Sequence, residues 1–111
     1  MNKLFALLPL LLLLAAFKPS NEVQTPADPE IPADVKPLLD KYGCTACHAI
    51  NRKLVGPKWT DIGAKKYSKK RIMELVAKPE PANWPGYPPM AAQNVPKSDL
   101  TKIATWLSTM K

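Results

Sequence analysis

The sequence predicts an all-α fold of three to five short helices, and three observations carry that prediction. Apolar residues recur at helical spacing in several short stretches, no segment alternates apolar and polar residues as a strand would, and 13 prolines in 111 residues cut the chain into short pieces. The length allows one domain and excludes multidomain enzymes and large barrels. With 46% hydrophobic and 23% charged residues, the composition is that of a globular chain, not a disordered one. Its formal net charge of +7 speaks to partners and solubility and not to fold.

Met1, Asn2 and Lys3 lead into 14 apolar residues from Leu4 to Phe17, followed by Lys18, Pro19 and Ser20. A basic start, an apolar centre and the small residues Ala15 and Ala16 make residues 1–20 a secretory signal peptide, cut between Ala16 and Ser20. A membrane-spanning helix wants about 18 or more apolar residues, so a retained anchor is the lesser reading. Residues 21–34 hold four acidic and no basic residues among several prolines, the pattern of a linker or loose tail. Residues 35–111 form the domain, with 14 basic against five acidic residues. At that size a side-chain core gives marginal stability, and further support is expected.

Within the domain a first helix is expected from Asp34 or Val35 to Tyr42, with Pro37 tolerated in its first turn and Gly43 ending it. Ala49 to Trp59 shows no period, and Gly56-Pro57 marks a loop. A second short helix is expected over Thr60 to Tyr67. Ser68 is placed to cap a third over Lys69 to Ala77, with Ile72, Leu75 and Val76 as its apolar stripe. Five prolines between Pro79 and Pro89 make that stretch an extended, stiff loop. Leu100, Ile103, Ala104 and Leu107 fall at i, i+3, i+4 and i+7, which predicts a C-terminal amphipathic helix starting between Val95 and Ser98.

The chemistry sits in Cys44-Thr45-Ala46-Cys47-His48, a C-x-x-C-H segment, which is the attachment signature of c-type haem. Two cysteines three apart on a helical turn can form thioethers to the two vinyl groups of one haem, and the adjacent histidine is carried under the iron. A redox dithiol would need a βαβ setting that this chain lacks. A zinc site wants four protein ligands, and the sequence has two cysteines and one histidine. With His48 as one axial ligand, the other is a methionine, a tyrosine, a lysine or an open position. Met90 is the candidate, because it follows the stiff Trp84–Pro89 loop, whereas Met73 lies beside a helix stripe and Met110 near the terminus. The competing reading of Met90 is a filler of a core gap.

These motifs, Gly43-Cys44-x-x-Cys47-His48, then Val55-Gly56-Pro57, then a Trp-Pro-Gly segment ending in Pro88-Pro89-Met90, then a helix bearing Trp106, resemble the small bacterial class I cytochromes c over essentially all of residues 35–111. The resemblance implies a small cytochrome c fold wrapped around one covalently attached haem c, with N- and C-terminal helices crossing and with His48 and Met90 on either side of the iron. It also implies that the Pro57 carbonyl accepts the His48 N–H and that Trp84 bonds a haem propionate. For the residue that bonds the methionine sulfur it offers Gln93 or Asn94, and for a basic partner to a propionate, Lys78. With both axial positions filled by protein, it implies a one-electron carrier and not an enzyme, placed in the periplasm.

Lys65, Lys66, Lys69, Lys70 and Arg71 put five cations in seven positions. They are read either as a solvated helix face or as a surface that steers an acidic redox partner. Nucleic acid is excluded by secretion and by the lack of a binding motif. After signal cleavage the protein is expected to be a monomer with no stable membrane insertion. The alternatives to a free shuttle are a haem subunit or module of a periplasmic dehydrogenase or oxidase, and a haem enzyme or gas sensor in which Met90 leaves the iron.

Overall fold

The computed structural model describes Ala15 and residues 29–110. The predicted signal peptide and the first part of the predicted tail therefore lie outside the described residues, Ala15 apart. Among the described residues there is no strand, and no helix is long and apolar enough to cross a membrane.

Four α-helices form in order among the described residues: α1 Lys36–Lys41, α2 Trp59–Ala64, α3 Lys69–Ala77 and α4 Lys97–Thr109. Single 3-10 turns at Cys44–Ala46 and Pro81–Asn83 interrupt the two loops. Pro37 occupies the first turn of α1, where no intrahelical N–H is required of it. Gly43 follows with φ +73, a left-handed conformation that a side chain would resist, and the chain turns there into the Cys44 segment. Helix α3 begins where its cap predicts: the Ser68 hydroxyl accepts from the Arg71 N–H at 3.1 Å. Helix α2 is displaced from the expected Thr60–Tyr67, starting one residue earlier and ending three earlier. Lys66 takes a positive φ of 55, which stops the helix before Tyr67.

The fold's contacts begin inside the segment read as a tail. Ile31 packs against the core, and the Pro32 carbonyl accepts from the N–H groups of Val35 and Lys36 at 2.9 and 3.0 Å. Helix α4 is the common partner of α1, α2 and α3. Its buried Ile103, Ala104, Trp106 and Leu107 meet Val35 and Leu39 from the α1 side, Trp59 from α2 and Ile72 from α3. At 13 residues it is, among the described residues, the one helix long enough to show a full apolar stripe to three neighbours. Tyr42, at the end of α1, donates to Asp99 Oδ2 at 2.5 Å and so ties the start of the domain to the start of α4.

Candidate haem site

The turn after α1 brings three reactive side chains together. The Cys47 and His48 N–H groups both donate to the Cys44 carbonyl, at 3.2 and 3.0 Å, and this winding puts Cys44, Cys47 and His48 on the wall of one cavity. No disulfide joins the two cysteines. Burial pushes the Cys44 thiol above its ordinary pKa.

His48 is the most constrained side chain of the site. The residue is 8% exposed, and its Nδ1 lies 2.7 Å from the Pro57 carbonyl oxygen. A carbonyl can only accept, so Nδ1 carries the proton and Nε2 keeps its lone pair. Burial lowers the imidazole pKa, partly offset by the Pro57 carbonyl, and the ring is neutral at pH 7. Gly56 donates to the Cys47 carbonyl at 2.8 Å and passes so close to the ring that a Cβ there would lie 2.6 Å from His48 Cε1. On the ring's face lies Trp59, with centroids 4.5 Å apart and planes inclined by 29°. The sequence signal for Gly56-Pro57 was a loop and a resemblance. Trp59 gave no signal beyond an aromatic residue two positions after the proline.

The cavity has a volume of about 400 Å³ and is largely apolar. Its walls include Cys44, Cys47, His48, Pro57, Trp84 and Met90, which are all six residues singled out from the sequence. Among the described residues Met90 is the one methionine that lines it: Met73 packs beside the core, and Met110 is buried over Gly63. Of the two candidates following Met90, Gln93 lines the cavity and Asn94 does not; Gln93 donates through its side chain to the Ala91 carbonyl at 3.1 Å. Lys78 does not line it either. Lys65 instead lies over the Trp84 ring at 4.7 Å and Lys53 over the Tyr87 ring at 4.3 Å, so two cations brace the loop that leads to Met90.

The basic cluster is divided by the structure. Lys66 donates to the Met110 carbonyl at 3.1 Å and secures the end of α4. Arg71 pairs with Glu74 and Glu80, and holds the Glu80 carboxyl below the usual range. Lys69 and Lys70 remain exposed on the first turn of α3.

The donor set fits a haem. Two thiols at the right spacing, one imidazole with Nε2 free and one thioether share an apolar chamber, and the buried indole nitrogen of Trp59, another wall residue, has no hydrogen-bond acceptor among the described residues. Walls of this chemistry define a c-type haem protein. The profile of the cytochrome c family matches residues 33–111, most of the chain, and the protein belongs to that family. Cytochrome c-551 of Azotobacter vinelandii is 37% identical over 78 residues, covering 67% of this chain and 94% of that protein. Cytochrome c-552 of Hydrogenobacter thermophilus is 32% identical over 78 residues, covering 67% and 79%. The crystal structure of Nitrosomonas europaea cytochrome c552 matches with a TM-score of 0.62 at 31% identity, covering 68% of this chain and 99% of that one. These relatives make the fold a small cytochrome c fold, the cofactor one covalent haem c, and the role electron carriage and not catalysis.

Proposed function

We propose that the protein is a periplasmic monohaem electron carrier in which Cys44 and Cys47 bind the haem covalently and His48 and Met90 are its axial ligands. The observation that carries this reading is that Met90 lines the cavity whose wall presents His48. The haem supplies the one-electron couple when bound. Cys44 and Cys47 would hold the haem through thioether links, which a thiol and a vinyl group can form without an oxidant. Pro57 holds the proton on Nδ1 and keeps Nε2 available, which makes His48 a stronger donor. Met90, on the same cavity wall, would supply the second protein ligand, and a thioether in that role would raise the potential relative to a second histidine. Trp84, on the wall under Lys65, is the residue proposed to meet a propionate.

Acid–acetone extraction of the holoprotein is expected to leave the colour with the polypeptide, and the double variant Cys44→Ala/Cys47→Ala is expected to lose it. The weak near-infrared sulfur-to-iron band of the ferric protein should disappear in Met90→Ala. Extractable haem, or a band that survives the substitution, would overturn the assignment.

The same reading makes an acidic redox protein the partner. Lys53 and Lys65 stand beside the loop that walls the cavity, and Lys69 and Lys70 add charge on α3. Exposed charges are screened over about 10 Å at 0.1 M salt. Oxidation of the reduced protein by hexacyanoferrate, an anionic probe, is therefore expected to slow with added salt, and Lys69→Glu/Lys70→Glu to slow it at low salt with an unchanged visible spectrum. A salt-independent rate would make the cluster a solubility feature.

A further inference from the structure

The Pro57 hydrogen bond leaves one property of the His48 ring undetermined. A single bond from Nδ1 fixes the tautomer and restrains one corner, but coupled rotation about χ1 and χ2 can still tilt the ring plane. Two other contacts limit the tilt. Gly56 closes the Cε1 edge, since even a methyl group at that position would overlap Cε1 and Nδ1, at 2.6 and 2.9 Å. Trp59 covers the face at 4.5 Å with an inclination of 29°. Trp59 is itself held: it is 5% exposed and lies against the Trp106 ring of α4 at 5.5 Å and 66°, an edge-to-face contact. The indole is therefore a fixed plate set between the histidine and the longest helix of the fold.

We propose that Trp59 is a positioning residue that sets the plane of the His48 imidazole, with Trp106 as its brace. This rests on His48 being an axial ligand. The plane of an axial imidazole relative to the four equatorial nitrogens sets the order of the iron d orbitals that overlap with it, and so the distribution of unpaired spin in the ferric state. A residue that only filled space would have no such effect. Outer groups that orient a metal ligand tune the metal in this way.

The experiment compares wild-type holoprotein with Trp59→Leu, which keeps an apolar side chain but removes the plate, and with Trp59→Phe, which keeps a ring. Proton NMR of the ferric form reads the hyperfine-shifted haem methyl resonances, and electron paramagnetic resonance reads the g values. The expected result is a changed order or spread of the methyl resonances and a shifted largest g value in Trp59→Leu, with the sulfur-to-iron band retained and with Trp59→Phe returning toward wild type. If Trp59→Leu yields no holoprotein, Trp106→Phe carries the test, because it loosens the brace without touching His48, and a smaller shift of the same resonances is expected. Unchanged resonances and g values in the folded variant overturn the proposal while leaving the axial assignment standing. A wild type without low-spin ferric signals overturns both.

Discussion

A single methyl group at position 56 separates two outcomes for the site. Gly56→Ala would place a carbon 2.6 Å from His48 Cε1 and 3.1 Å from the Cys47 carbonyl oxygen, neither of which is the free end of a flexible chain. Overpacking of this kind costs about 1–3 kcal/mol. The ring, the Pro57 bond or the Gly56–Cys47 bond must give way. Gly56→Ala is therefore expected to lower the midpoint of guanidinium unfolding and the yield of holoprotein together, measured by tryptophan fluorescence and by Soret absorbance. A variant with wild-type stability would show that this contact relaxes at no cost. At the same scale, the cysteines and the histidine were legible because their spacing is local and chemical. Trp59 was not, because its role depends on which residue lies across its face, and the neighbour that braces it is 47 positions away in the sequence.

Between elements, the clearest test concerns the link from α1 to α4. Tyr42 donates to Asp99, and this carboxylate raises the phenol pKa above its ordinary 10.0. A group whose pKa is higher in the folded state stabilises that state fully below the unfolded value and loses the effect as pH rises through the folded one. Tyr42→Phe is accordingly expected to lower the Tm at pH 7. The difference from wild type should narrow above pH 10, in thermal melts followed by circular dichroism. A constant difference across that range would mean that the Asp99 contact does not raise the phenol pKa, and no difference at any pH that the hydroxyl contributes nothing. The helices themselves could be read from the sequence with uneven success. Helix α3 spans the Lys69–Ala77 that Ser68 and its stripe predict, and α4 starts within the Val95–Ser98 window that its apolar period predicts. Helix α2 was misplaced at both ends, since six residues carry too little periodicity to locate, and its end is decided by the backbone turn at Lys66, not by a glycine or proline.

For the whole molecule the decisive quantity is how little core there is without the cofactor. The buried side chains of α1 to α4 gather against α4, while the facing loops leave a largely apolar cavity of about 400 Å³ beside them. A domain of this size has marginal stability even when well packed, and exposing that wall to water removes support that a bound macrocycle would supply. The double variant Cys44→Ala/Cys47→Ala is expected to show far-UV circular dichroism much weaker than the holoprotein and no cooperative thermal transition. A native-like helical spectrum with a sharp melt would show that the polypeptide folds on its own. What the sequence alone determined is the chemistry and the order of the parts: an all-helical chain, the haem-attachment turn, the proline-stiffened loop before Met90 and the excess of positive charge. Each of these is written in residues that are close together, so spacing and composition suffice to read them. What the tertiary structure decided is which further groups meet: Trp59 between His48 and Trp106, Lys53 and Lys65 over the aromatic loop, and Lys66 on the end of α4, while Pro57 on His48 and Met90 on the cavity wall stand where the sequence motifs point. Apart from the contacts that His48 makes within its own loop, those pairings join positions far apart in the chain, and they follow from how the short helices pack against α4, which no local pattern records.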